Sequence, residues 1–229
     1  MQNTRKAADA EPSERYRLRD FSADLRDDIE AYLEYASHYG SFRRTLWKRL
    51  SALLTPSVTA CALYRVSRWF HGRRWRCLAY ATARLNLLLT RVSICPASRI
   101  GGGLYIPHPT TSIVFQGTAG RNLCMFAGSC VSASGLHPLH GGALSGAPEI
   151  GDDVSLGSKS LVQGPVRIGA GVKIGINACI TRDIPAGAVV IAKRRRSRVD
   201  DLSQPPGSAR GTRSSPVATV SVATAAREK

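Results

Sequence analysis

The chain contains 229 residues, 43% of them hydrophobic, and carries a formal net charge of +16. That length and apolar content suffice for one sizeable domain with a smaller unit or a tail, and they exclude a chain that is disordered throughout. The six cysteines form no CxxC pair and show no metal-type spacing with histidine, so we predict reduced thiols, no metal and a cytoplasmic location.

The positive charge is unevenly distributed along the chain. Residues 41–91 contain eleven Arg or Lys side chains and no Asp or Glu, and a second basic segment follows residue 192. This distribution indicates contact with anions, such as a phosphorylated cofactor, an acidic membrane surface or nucleic acid, or else a solvated basic surface with no partner. Because no recognised nucleic-acid-binding motif accompanies the charge, we predict no nucleic-acid partner.

The first part of the chain is predicted to be helical. Residues 1–20 are polar and are predicted to form a flexible N-terminus without the apolar core of a signal peptide. An α-helical domain is expected over 21–92, with helices from 22 to 40, from 42 to 56, over 60–70 and over 74–89. Pro56 is expected to end the second helix. The longest apolar stretches are too short and interrupted to span a bilayer.

From residue 93 the sequence changes to a repeat of six residues. Short strands joined by tight corners fit this period, with three strands per coil and stacked coils sharing one core. We therefore predict a mainly β fold, a β-helix of hexapeptide repeats over 93–192. The aliphatic positions that set the period are Ile150, Leu156, Val162, Ile168, Ile174 and Ile180, with two earlier sets, Ile94, Ile100, Ile106 and Ala119, Met125, Val131.

Two interruptions of this pattern mark less regular segments. The period breaks between Val131 and Ile150, which predicts a projecting loop over 132–148. Beyond residue 192, KRRRSR is followed by a stretch rich in Pro, Ser, Gly and Ala, and this composition predicts a basic disordered tail over 193–229.

Two segments carry a resemblance to a known family. Residues 64–108, which include VSICPASRIGGGLYIPH, resemble the helix-to-solenoid junction of the serine acetyltransferases, and IGDDVSLGSKSLVQGPVRIGAGVKIGINACITRDIPAG, residues 150–187, is similar to their last coils. The resemblance covers about 60–192. It implies a left-handed parallel β-helix preceded by a small α-helical domain, a homotrimer or dimer of trimers, and transfer of acetyl from acetyl-CoA to the hydroxyl of L-serine in cysteine biosynthesis.

The resemblance also implies a catalytic residue. In the family, a histidine in the segment that matches GLYIPHP acts as general base, and here that position is His108. A hydroxyl group is a weak nucleophile until a positioned base removes its proton during attack on the thioester. Imidazole can accept this proton and then return it to the thiolate leaving group. The alternative is a packed or exposed corner histidine between Pro107 and Pro109.

The family holds acetyl-CoA along a groove between adjacent subunits, against small corner residues and backbone amides. The positions that match this cofactor site are Gly157, Ser158, Lys173, Gly175 and Ile176. Most of these residue types are also required by the repeat itself, so a purely structural role is the alternative.

The sequence departs from the family pattern at three positions around the expected base. Ser93 replaces a carboxylate, Pro107 replaces an acidic residue just before the histidine, and Ala147 replaces a second active-site histidine. His137 and His140 lie in the predicted loop, where they are either solvated or compensate from a neighbouring subunit.

These departures leave two other functions open. One is acetyl-CoA-dependent acetylation of a sugar hydroxyl in surface polysaccharide synthesis, in which the basic helices with Trp47, Trp69 and Trp75 would make a peripheral contact with an anionic membrane. The other is a hexapeptide scaffold without catalytic activity.

Overall fold

The computed structural model describes residues 16–38, 55–109, 111–133, 146–192 and 220–224. Within these ranges, helices precede a series of short strands. The helices are α1 (Leu18–His38), α2 (Pro56–Gly72) and α3 (Arg76–Thr90). The strands are β1 (Val92–Ile94), β2 (Arg99–Ile100), β3 (Ile113–Phe115), β4 (Thr118–Ala119), β5 (Cys124–Met125), β6 (Cys130–Ser132), β7 (Glu149–Ile150), β8 (Ser155–Leu156), β9 (Leu161–Gln163), β10 (Arg167–Ile168), β11 (Lys173–Ile174), β12 (Cys179–Ile180), β13 (Ala188–Ala192) and β14 (Val220–Thr224).

The strands form three sheets that together make a β-helix. The first sheet has the order β1-β3-β6-β9-β12, the second β10-β7-β4-β2, and the third β14-β13-β11-β8-β5. From β1 to β13, successive strands of the chain pass from one sheet to another, and neighbours within a sheet are parallel, as between β11 and β8. Each circuit of the three sheets is therefore one coil, and this confirms the predicted mainly β fold.

The core lies inside the coils and is built from the repeat positions. All six aliphatic residues from Ile150 to Ile180 that set the period of six are at most 5% exposed. Ile94, Ile100, Ile106, Met125 and Val131 are also buried, while Ala119 is only partly buried. Because every coil adds aliphatic side chains to the same column, the coils share one continuous apolar core.

The first coil differs from the regular pattern. Ile94 of β1 pairs with Phe115 of β3, so this coil holds more residues than the eighteen or so of a regular one. Ile113 and Phe115 are fully buried although they fall outside the predicted sets of aliphatic positions. The additional residues lie between Ile106 and Ile113, where the chain passes through His108.

The helical region differs from the prediction at two points. Helix α1 begins at Leu18, inside the segment expected to be flexible. Helix α2 begins at Pro56 rather than at residue 60, because a proline in the first turn loses no helical hydrogen bond. The helix predicted from residue 42 falls on 39–54 and lies outside the described residues. No described helix is both long enough and apolar enough to cross a membrane.

One strand was not predicted. β14 pairs antiparallel with β13, with Val222 opposite Val190, and lies within the segment expected to be a disordered tail. The rest of that tail is outside the described residues.

Candidate functional site

His108 lies at the corner that follows the third sheet in the first coil. Tyr105 forms a parallel bridge with Cys124, and the Met125 amide donates to the Tyr105 carbonyl at 2.9 Å. Ile106 is fully buried, whereas the imidazole of His108, two residues later, is exposed. The buried side chain of Ile106 thus fixes the end of this short segment in the core, and His108 lies beyond it at the surface.

The later coils present most of the predicted cofactor residues at this same corner. The Gly157 amide donates to the Ile174 carbonyl and the Gly175 amide donates to the Val190 carbonyl, each at 2.7 Å, so the two glycines stack. The Asn177 amide donates to the Ser158 carbonyl at 3.0 Å, which places Ser158 beside Ile176 in the next coil.

His108 and this stack lie on one edge of the β-helix. The Lys159 amide donates to the Ala127 carbonyl, which places Ala127 between the coil of His108 and that of Ser158. Neighbouring parallel strands are about 4.8 Å apart, so His108 and Ser158 are about 10 Å apart along the axis. The structure therefore brings four of the five predicted cofactor residues, Gly157, Ser158, Gly175 and Ile176, onto the corner of the predicted base.

The glycines at this corner are required by the close approach of the coils. A Cβ at Gly157 would lie 2.6 Å from the Ile174 carbonyl oxygen, and a Cβ at Gly175 would lie 2.9 Å from that of Val190. Glycine at these two positions therefore lets the coils approach and leaves the backbone there without a side chain.

Two apolar side chains flank the glycines. Ile176 is 66% exposed and Ile191 of β13 is 58% exposed, although both belong to the regular β-helix. Together with the bare backbone they give this edge the character of a surface for an alkyl chain.

Lys173 lies apart from the corner. It opens β11, where it pairs with Ser155 and Val189, and its side chain is exposed on the outer face of the third sheet. Lys173 is two residues before Gly175 in the chain. Its exposed ammonium group is available to an anionic part of a ligand.

A buried ion pair fixes the chain just before His108. Asp28 of α1 and Arg65 of α2 pair through two hydrogen bonds of 2.9 Å, and both side chains are almost completely buried. Asp28 also accepts the Leu104 amide at 2.7 Å, and Arg65 donates to the carbonyls of Ile100 and Gly101. Burial alone would lower the pKa of Arg65, but the Asp28 carboxylate outweighs it and raises that pKa, so the guanidinium stays charged.

Aromatic contacts extend this attachment toward His108. The rings of Tyr35 in α1 and Tyr105 have centroids 4.6 Å apart, and Tyr32 lies 6.4 Å from Tyr105. The Tyr64 hydroxyl of α2 donates to the Ser98 carbonyl and accepts the Ile100 amide. The helices thus hold the segment 98–105 in place.

The sequence prediction missed this polar pair, although a signal for it exists. Asp28 is three residues after Leu25 and four before Tyr32, so it lies on the apolar face of α1. Arg65 interrupts the buried face of α2 next to Tyr64. Two charged residues of opposite sign in two apolar faces indicate a buried pair.

The positions where the sequence departs from the family are spread over the first coils. Ser93 lies in β1 of the first sheet, Pro107 adjoins His108, and Ala147 precedes β7; each is half-buried. Among the described residues these positions supply no carboxylate or imidazole to His108. His137 and His140 are outside the described ranges. Within those ranges, no group of three or more His, Cys, Asp or Glu residues is placed to hold a metal.

Comparisons with known proteins give a consistent set of relatives. No protein-family model matches the chain. The chain is 29% identical over 175 residues to a serine acetyltransferase of Helicobacter pylori, covering 76% of this chain and 98% of that one. It is 35% identical over 138 residues to a serine acetyltransferase of Mycobacterium tuberculosis, covering 59% of this chain and 58% of the relative.

Solved structures show the same fold. The serine acetyltransferase of Neisseria gonorrhoeae matches with a TM-score of 0.63 and 24% identity, over 76% of this chain and 64% of that one. Soybean serine acetyltransferase complexed with serine matches with a TM-score of 0.65 and 24% identity, over 76% and 68%. A serine acetyltransferase in complex with CoA gives 0.63 and 18%, over 76% and 67%. This likeness makes the β-helix left-handed, as the resemblance implied.

Proposed function

We propose that the chain, which is similar to serine acetyltransferases in sequence and in fold, transfers the acetyl group of acetyl-CoA to the hydroxyl of L-serine. The observation that carries the proposal is the shared corner, where His108 lies two coils from a stack of cofactor-type residues. The relatives include serine acetyltransferases solved with serine and with CoA. The product would be O-acetylserine, an intermediate of cysteine biosynthesis.

The proposed reaction needs one base. His108 takes the proton of the serine hydroxyl as its oxygen attacks the thioester carbonyl carbon, and a new C–O bond forms. Backbone amides at the corner stabilise the negative charge on the carbonyl oxygen. When the C–S bond breaks, His108 returns the proton to the thiolate, which leaves as free CoA.

The cofactor would lie along the corner. Its alkyl arm fits the bare backbone of Gly157 and Gly175 and the exposed side chain of Ile176, with Ser158 beside it. Lys173 supplies a cation for a phosphate group. This orientation points the thioester toward His108 in the first coil.

The assembly we propose is a homotrimer or a dimer of trimers in the cytoplasm. The exposed Ile176 and Ile191 support it, since an apolar edge of this kind is covered when a neighbouring subunit packs along the corner. All six cysteines are free, which suits a reducing compartment. The mass of the particle in solution, measured by light scattering, distinguishes a trimer from a hexamer.

A sugar hydroxyl is the second candidate acceptor. The specific observation in its favour is the chemistry of Ser93, Pro107 and Ala147, which lack the charged groups expected around a bound amino acid. The same base and the same cofactor edge would serve this reaction.

The experiment is an assay of acetyl-CoA-dependent thiol release with L-serine and with a panel of sugars. Turnover with L-serine at least about tenfold above that with every sugar supports the proposed acceptor. Turnover with sugars alone would assign the enzyme to polysaccharide modification instead. No turnover together with no binding of CoA would identify a scaffold and overturn the proposal.

A further inference from the structure

Helix α3 carries an unusual set of exposed apolar side chains. Its inner face is formed by Ala79, Asn86 and Thr90, which are buried, and the Asn86 amide donates to the Ala60 carbonyl of α2 at 3.0 Å. The large apolar side chains lie outside this face. We call them the α3 apolar stripe: Trp75, Leu78, Leu85, Leu88 and Leu89, of which Leu88 is the most exposed at 78%.

Arginines surround the stripe. Arg73, Arg74 and Arg76 lie at the beginning of α3 and Arg91 follows its end, and all four are exposed. The Arg73 guanidinium lies over the Trp69 ring, 4.7 Å from its centroid, and so stays next to Trp75. Since residues 41–91 contain no Asp or Glu, no carboxylate from this part of the chain offsets the charge.

The surface that covers the stripe must match both its apolar side chains and the positive charge around them. A second copy of α3 would bring another set of arginines against the first without an acidic partner, and like charges at an interface are unfavourable. The segment 41–50 of this chain has the same drawback, since its charged residues are all basic. An anionic lipid surface supplies both negative charge and an apolar interior.

We infer that the α3 apolar stripe and its arginines dock the protein on an anionic membrane surface. The helix would lie in the plane of the bilayer, with the leucines at the boundary between headgroups and acyl chains and Trp75 at headgroup level. The arginines would contact lipid phosphates. This goes beyond acetyl transfer, holds for either acceptor and leaves the corner of His108 untouched.

The test is the partition of the full-length protein onto lipid vesicles. We expect binding to vesicles that contain phosphatidylglycerol at least about tenfold stronger than to phosphatidylcholine alone. The attraction weakens in about 1 M salt, where the Debye length is about 3 Å. The double variant Leu85→Glu, Leu88→Glu loses most of the binding, because it places two carboxylates on the stripe.

Leu18→Glu is the matched control, since Leu18 is 63% exposed at the beginning of α1 and outside the stripe. It retains wild-type binding. The inference is overturned if the wild type does not bind anionic vesicles, or if both variants bind as the wild type does. It is also overturned if the wild type stays off vesicles while the double variant alone forms a smaller particle, since a second copy then covers the stripe. Thiol release measured without vesicles reports on the proposed reaction independently.

Discussion

Asp28 and Arg65 form a buried ion pair that the fold cannot easily lose on one side only. Their pair is buried where α1, α2 and the first coil meet, and each side chain also bonds to the backbone of 100–104. Removing one partner leaves the other charge buried without compensation, which costs far more than losing an exposed pair.

Asp28→Ala is therefore expected to lower the free energy of unfolding by about 3–5 kcal/mol. Asp27→Ala is the control, because Asp27 pairs with Arg121, which is 62% exposed, and such pairs contribute about 0–1 kcal/mol. Urea unfolding followed by tryptophan fluorescence measures both. Equal losses in the two variants would contradict the described burial of Arg65.

The reactivity of the cysteines provides a second test at the level of single residues. Burial raises the pKa of Cys124 to about 12 and that of Cys61 well above its ordinary value, whereas Cys77 is exposed on α3. Because the thiolate is the reactive form, iodoacetamide at pH 8 should modify Cys77 while leaving Cys61 and Cys124 intact. Peptide mass spectrometry reads out the order, and early modification of Cys124 would be inconsistent with its position in β5.

The burial of the Cys124 thiol also predicts how the stability of the fold changes with pH. The pKa of Cys124 is about 12 in the folded chain and 9.0 as its ordinary value, so between these values the unfolded chain loses the thiol proton more readily. Stability therefore falls as pH rises from about 9 to about 12. Replacing Cys124 with alanine should reduce this slope in unfolding measured against pH.

Among the elements, the glycine stack at the corner of the third sheet links the fold to the proposed cofactor edge. Gly157→Ala would place a methyl group 2.6 Å from the Ile174 carbonyl oxygen, so the coils must separate. We expect a loss of about 1–3 kcal/mol in stability, together with weaker CoA binding. Gly72→Ala is the control, since its Cβ would lie 3.6 Å from the nearest atom, Tyr16 Cβ. Calorimetric titration with CoA and thermal unfolding of both variants test this, and unchanged values for Gly157→Ala would count against the stack.

The elements also show what the sequence could and could not predict. The six-residue period identified the buried positions from Ile150 to Ile180 because each coil has one inward aliphatic per strand. It missed Phe115, because a longer coil shifts the register without a repeat signal. The start of α2 was predicted at residue 60 instead of Pro56, because the prediction used this proline only as the end of the preceding helix. β14 was missed because pairing with β13 depends on a distant strand.

The candidate site was predictable only in part. The resemblance to the family named His108 and five cofactor residues. The register of the sheets then brings four of these five onto the corner of His108. The Asp28–Arg65 pair follows from contacts between segments far apart in the chain, which a local pattern does not contain.

At the scale of the whole molecule, the parts have separate tasks. The β-helix has a straight edge on which the proposed base and the proposed cofactor surface share one corner, and the helices hold the segment before His108. In the sequence, the positive charge is concentrated in residues 41–91 and after β13. The proposed catalytic corner and the proposed membrane surface therefore lie on different elements, the β-helix and α3.

The most direct test of the central claim is the rate of acetyl-CoA-dependent thiol release by His108→Ala. The account predicts a fall in kcat of at least about 100-fold with CoA affinity unchanged, because the glycine stack is two coils away. His71→Ala, at the end of α2 and away from the corner, should keep the wild-type rate. A wild-type rate in His108→Ala would contradict the assignment of the base and, with it, the proposed site.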